Sequence, residues 1–203
     1  PLTLIQGPAS QLVRQTTDPK EKEDLQIINR NAQYLLSLVN QLIDLRKIDT
    51  QNLTLNYSQF NFSKFLNTTI TDFSNLMKER NISFEKIYRL KSDHIYSDKE
   101  NLHKILFNLL SNAIKHTPDK GKITLHANQF IDKSNKLMQF ISVTNSGSII
   151  APDEIDKIFN RFYRIPEQNK YTNYGQSSTG IGLHIVKELI NLLDGTIKVK
   201  SSE

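Results

Sequence analysis

The hydrophobic pattern of this chain changes period as it runs. Leu2, Ile5, Ala9 and Leu12 recur with 3-4-3 spacing, and Leu25, Ile28, Ala32, Leu35, Val39 and Leu42 repeat it for longer. That spacing is the seam of helices packed in a bundle. Gly7-Pro8 bends the first helix without ending it, because the seam continues beyond. The helix stops within 14–17, and Asp18-Pro19-Lys20-Glu21 restarts one. Asp18 is the expected N-cap, Pro19 sits in the first turn, and Glu21 completes a capping box. Leu36, Leu38, Ile43 and Leu45 widen the second stripe beyond what two antiparallel helices can bury against each other. Pairing two hairpins into a four-helix bundle solves this and makes a homodimer. A hairpin packed on the rest of its own chain is the alternative.

The polar stretch 49–52 marks the expected boundary between residues 1–50 and residues 51–203. Beyond it Leu53, Leu55 and Tyr57 alternate as a strand. Phe62, Phe65, Leu66, Ile70, Phe73, Leu76 and Met77 predict a helix ending near Arg80-Asn81. Short strands come next, at 82–84 and 94–96. Residues 121–128 and 137–145 read as a hairpin around the polar turn 132–136, and 153–159 as a short capped helix. The segment 164–179 has no apolar period and reads as a mobile loop. Gly180–Leu193 is a helix closed by Gly195 at its C′ position, and Thr196–Lys200 a last strand. The fold class is α+β: a helical hairpin, then a mixed sheet covered on one face by helices.

Between two of these strands, residues 98–116 form a helix with two faces of different character. Leu102, Ile105, Leu106, Leu109 and Ala113 share the apolar face; Asn101, Asn108, Asn112 and Lys115 share another. Asparagine is a poor helix former, so an amide stripe in mid-helix carries a propensity cost that packing does not explain. An amide oxygen can ligate Mg²⁺ without adding a charge that repels phosphate, and a lysine one turn on attracts it. The stripe reads as the wall of a Mg–nucleotide site; the alternative is a polar face turned to water.

Composition narrows the field little. Hydrophobic residues make up 37% and charged residues 23% of 203 positions, which suits a folded globular chain. With no cysteine, disulfides, thiolate catalysis and cysteine-bound zinc are excluded. The net charge of +5 is scattered rather than blocked, with no aromatic-interleaved basic face for nucleic acid. No apolar run reaches the ~20 residues of a membrane span. Both ends read as cut through a pattern, as in a piece of a longer protein.

Two glycine segments complete the candidate chemistry. Thr179-Gly180-Ile181-Gly182-Leu183 leads a loop into a helix, where backbone N–H groups and the helix dipole favour an anion. Val143-Thr144-Asn145-Ser146-Gly147 leads a strand into a loop. Each is weak alone, but their order along the chain is specific. Asn108–His116 resembles the N box of the sensor histidine kinases of two-component signalling. Asn145–Gly147 resembles their first glycine box, Phe159–Arg164 their F box, and Gly180–Gly182 their second glycine box. The start at PLTLI resembles the residues just after the phospho-acceptor motif, and Leu42–Asp49 the end of the second dimerisation helix. The run from Leu42 to Phe62 is similar to the hybrid kinases that carry a receiver domain.

The resemblance implies a dimerisation hairpin at 1–50 and a Bergerat-type α/β sandwich at 51–203 that binds ATP and Mg²⁺. Asn112 would hold Mg²⁺, with Asn108 beside it toward the phosphates and Lys115 on a phosphate. His116 stands where the family usually has tyrosine and would stack or hydrogen-bond. Tyr163 and Arg164 would face the nucleotide, Arg164 with a planar donor fork. Thr179, Gly180 and Gly182 would bring backbone against the triphosphate as a lid closes, Leu183 would line the pocket, and Gly147 would shape the first glycine box. Asn145 replaces the adenine-reading aspartate, losing charge assistance worth ~1 kcal/mol. Ile149 replaces a later glycine of the same box. The acceptor histidine would lie a few residues before Pro1, so this chain would bind ATP without phosphorylating itself; no catalytic residue is expected within it. The implied partners are a second copy and a response regulator or fused receiver, with no nucleic acid. The implied setting is the cytoplasmic portion of a bacterial inner-membrane sensor, with the membrane anchor outside this chain. Two other readings remain: a dimerising relative without kinase activity, and another ATPase of the same fold.

Overall fold

A computed structural model describes residues 7–8, 11–13, 15–50, 52–133, 135–165 and 179–202. The chain divides into two compact units, Pro1–Leu53 and Thr54–Glu203.

The first unit is dominated by helix α1, Pro19–Asp49. Asp18 caps it, its carboxylate accepting from the Lys20 N–H at 2.8 Å. The expected capping box does not close. The Thr16 hydroxyl donates to Glu21 at 2.8 Å and accepts from the Asp18 N–H at 3.3 Å, so a threonine bridges the two partners instead. Of the apolar stripe only Ala32 and Leu45 are buried; Ile27, Ile28, Leu35, Val39, Leu42 and Ile43 remain exposed. The bend at Gly7-Pro8 falls largely outside the described residues.

The second unit opens with strand β1, Tyr57–Asn61, so the strand expected from Leu53 begins four residues later. Helix α2, Phe62–Thr71, buries Phe62, Phe65, Leu66, Thr69 and Ile70. The single helix expected to Met77 breaks here, and a short helix α3 runs Ser74–Glu79. Hydroxyls cause the break. Thr68, Thr71 and Ser74 bond back to the carbonyls of Lys64, Asn67 and Thr71, competing with the helical ladder.

Strands β2, Ser83–Arg89, and β3, His94–Asp98, come next. Strand β3 pairs antiparallel with β1. Helix α4 is Lys99–His116, and the hairpin β4–β5 is Lys122–Ile131 and Leu137–Asn145. Strand β2 runs parallel to β4, and β4 antiparallel to β5, giving the mixed sheet. Strand β4 buries Ile123, Leu125, Ala127 and Gln129 on one face, and α2 and α4 meet it with Phe62, Leu66, Leu106 and Leu110.

The expected helix at 153–159 is instead two uncapped 3₁₀ turns, Pro152–Glu154 and Lys157–Phe159. Helix α5 is Gly182–Leu192 and buries Ile185, Val186 and Leu189. Asp194, at φ 55°, takes the left-handed closing position, and Gly195 comes after it, its N–H bonding the Ile190 carbonyl at 2.8 Å. The cap is a Schellman closure shifted one residue from expectation. Residues 196–200 join no strand ladder; Ser201 accepts from the Ile150 N–H at 2.9 Å. Most of the expected loop 164–179 lies outside the described residues.

Candidate nucleotide site

Helix α4 begins at Asp98, which is buried and fully used. Its carboxylate accepts from the Asn101 N–H, the Asn101 side-chain amide and the Asn56 N–H at 2.8, 2.9 and 2.7 Å. Asn101 is therefore a capping residue, although it shares the amide face. Asn108 donates its Nδ2 to the Lys104 carbonyl at 2.8 Å, which turns Oδ1 toward α5. A Cβ on Gly182 would sit 2.7 Å from that oxygen, so the glycine makes room for the asparagine. Asn112 is half-buried one turn further on.

The C-terminal turn carries the charge. Burial, and then the Arg164 guanidinium, push the Lys115 ammonium down to about 8. His116 is held below its ordinary value by burial and then by Lys115, so its imidazole is neutral at pH 7. Its Nδ1 is buried and has no hydrogen-bond partner among the described residues.

Asn145 and Gly147 close against this turn. The Asn145 Nδ2 donates to the His116 and Ser146 carbonyls at 3.5 and 3.3 Å, which leaves its Oδ1 as the open acceptor. Gly147 has φ 124°, and a Cβ there would lie 2.8 Å from the His116 carbonyl and 2.6 Å from Pro118. No other residue fits this approach without moving the helix end.

The segment 159–164 is stitched to the start of α5. Arg161 Nε donates to His184 Nε2 at 2.8 Å, and His184 Nδ1 donates to the Phe159 carbonyl at 3.1 Å, which fixes the neutral tautomer. The Tyr163 hydroxyl donates to the Glu154 carboxylate, so it is engaged within the protein. That bond and Lys157 hold Glu154 below the usual carboxylate range. Gly180, at φ 69°, would place a Cβ 2.6 Å from the Phe162 backbone, and the Phe162 N–H donates to its carbonyl at 2.9 Å. The first service of Gly180 is thus to seat this turn. The Thr179 hydroxyl accepts from the Ile181 N–H at 3.1 Å, and Leu183 is half-buried.

Neutral amide oxygens, a buried imidazole nitrogen lacking a partner and two converging cations form a donor set suited to a metal-bound polyphosphate. Sequence reasoning missed residues that fasten the site, Arg80, Thr117 and Glu154, and it missed that Arg161 of the 159–164 segment pairs with His184. None belongs to an apolar period or a glycine segment.

Residues 97–203 match the family model of histidine kinase-, DNA gyrase B-, and HSP90-like ATPases, and residues 1–51 that of the His Kinase A (phospho-acceptor) domain. The chain belongs to that ATPase family and, with both domains matched, to its sensor histidine kinases. It is 36% identical over its whole length to histidine kinase P4 of Formosa agariphila, of which it spans 14%. It is 33% identical to the sensor histidine kinase TmoS of Ectopseudomonas mendocina, spanning 20% of it. Among solved structures, full-length ShkA in complex with AMPPNP matches with a TM-score of 0.76 at 23% identity, over all of this chain and 40% of that one. Histidine kinase ThkA in complex with the response regulator protein TrrA matches with a TM-score of 0.64 at 22% identity, over 96% of this chain and 52% of that one. These likenesses show the shared fold.

Proposed function

We propose that residues 1–50 form the dimerisation hairpin and residues 51–203 the ATP-binding domain of a sensor histidine kinase. The whole protein transfers the γ-phosphoryl of MgATP to a histidine, and then to an aspartate of a response regulator or fused receiver. The reading rests above all on the cradle where Gly182 gives way to the Asn108 Oδ1, on the same helix as a half-buried Lys115 whose ammonium feels the charge of Arg164. Two cations brought together, one of them half-buried, cost stability unless an anion is to be held between them. Among the described residues no ion pair neutralises either.

Each site residue then has a task. Lys115 and Arg164 hold phosphate oxygens, and Asn108 steers the phosphates past Gly182. Asn112 would hold Mg²⁺, which when bound neutralises phosphate charge. Asn145 accepts from the adenine amino group through Oδ1, and the buried His116 Nδ1 gains a polar partner at the same end. Gly147 and Gly180 keep the two walls close, while Tyr163, Thr179, Gly182 and Leu183 shape the rim. The AMPPNP held by ShkA and the response regulator held by ThkA support nucleotide and receiver as ligands of this fold. The exposed stripe of α1 supports a second copy as partner. Among the described residues no helix is long and apolar enough to cross a membrane. The chain acts as the cytoplasmic portion of a bacterial inner-membrane sensor.

The test is a chain extended upstream of Pro1 through the acceptor histidine, incubated with Mg²⁺ and γ-labelled ATP. Acid-labile label on a histidine, passed to a receiver, is expected. A folded protein that binds nucleotide but takes no label contradicts kinase activity.

A further inference from the structure

We propose that Arg80 is a positioning residue of the nucleotide site, setting Lys115 and His116 from beneath the last turn of α4. The inference rests on the nucleotide-binding reading above.

A helix ends with four carbonyls that lack intrahelical partners. In α4 the Ala113 carbonyl accepts from the Thr117 hydroxyl at 2.5 Å, and the His116 carbonyl from Asn145 and the Ser148 N–H, each at 3.5 Å. The Ile114 carbonyl accepts from Arg80 Nη1 at 2.7 Å. The same guanidinium reaches further: Nη2 donates to the Thr117 carbonyl at 2.6 Å, and Nε to Asp119 at 2.8 Å. Its backbone carbonyl accepts the Lys120 N–H at 3.0 Å. One residue thus fastens 114, 117, 119 and 120.

Arg80 is only 5% exposed, whereas its carboxylate partner Asp119 is 64% exposed. Burying a guanidinium is costly unless its donors are satisfied, and its neighbours in sequence, Met77 and Ile82, show that the core accepts apolar side chains here. A charge is retained where its geometry is used. The planar fork holds three donor nitrogens at fixed separations, so Nε, Nη1 and Nη2 each reach a different acceptor, which the single nitrogen of a lysine cannot match.

The other side of this turn is the nucleotide site. Lys115 and His116 lie between the two carbonyls that Arg80 holds, and Asn145 and Gly147 close on the His116 carbonyl. A shift of the turn therefore moves the phosphate-facing and adenine-facing groups directly. Asn108 sits earlier on α4 and is held instead by the Lys104 carbonyl.

The test is titration calorimetry with MgADP on this chain, on Arg80→Lys, on Lys115→Met and on the double variant, all well below the melting temperature. Arg80→Lys is expected to bind about tenfold more weakly. The double variant should bind more weakly than Lys115→Met by clearly less than about tenfold, because only the part of the Arg80 effect carried by His116 remains once Lys115 is gone. A purely structural Arg80 would lower the melting temperature and leave affinity unchanged; that result, or full additivity, overturns the proposal. If Arg80→Lys does not fold, Asp119→Ala loosens the same guanidinium from an exposed position. About threefold weaker binding is then expected, and unchanged binding overturns the proposal. An unaltered chain that does not bind MgADP would overturn the nucleotide reading itself, and this inference with it.

Discussion

Helices α1 and α4 are both amphipathic, yet they leave opposite faces unfinished. Helix α1 exposes its apolar stripe, with Leu35, Val39 and Leu42 all open to solvent. Helix α4 buries Ile105, Leu106, Leu110, Ala113 and Ile114, and its amide and lysine face at Asn108, Asn112 and Lys115 is left half-covered. An exposed apolar stripe is completed by another apolar surface. A half-buried lysine facing an arginine is completed by an anion. One chain thus carries two unmet demands of different chemistry, and each can be broken without touching the other.

The largest effect is expected on α1. Leu35→Asp with Leu42→Asp places charges in the seam of both copies, and self-association should weaken more than a thousandfold. Analytical ultracentrifugation should then find monomers whose MgADP affinity is unchanged. Lys115→Met acts on α4 alone and should weaken MgADP binding by about thirtyfold while the dimer persists, as calorimetry beside sedimentation will show.

Gly180→Ala should cost about 2 kcal/mol, read as a lower melting temperature, because its Cβ would meet the Phe162 backbone at 2.6 Å. The smallest effect is pH-dependent. Lys115 titrates near 8 in the folded chain, against an ordinary 10.5. Below 8 it is charged in both the folded and unfolded states, and the cost of burying that charge is fully present. Between these values the unfolded chain binds more protons, so this residue's contribution to stability rises with pH. MgADP affinity should fall over the same window as the charge is lost, and Lys115→Met should remove both trends.

Where the sequence is legible, one local rule suffices. The 3-4 spacing from Leu25 to Leu42 and the Asp18-Pro19 start foretell α1, and the alternation around 132–136 foretells the hairpin. Rules in competition are harder to read. The 62–77 stripe is continuous in apolar residues, but the hydroxyls of Thr71 and Ser74 divide it. Gly195 has the residue type expected at the left-handed position of the α5 cap, whereas Asp194 takes that place. For the site, the asparagine stripe and the glycine segments identify the walls. The fastenings cannot be read locally, because Arg80 lies 34 residues from Ile114 and His184 lies 23 from Arg161. Only the fold brings such pairs together.

The most direct test of the central claim is a crystal structure of this chain with Mg²⁺ and a non-hydrolysable ATP analogue. The phosphates should lie between Lys115 and Arg164, with Asn112 toward the metal and the Asn145 Oδ1 on the adenine amino group. A cleft filled by core side chains, with Asn112 turned to bulk solvent and the analogue bound elsewhere, would contradict it.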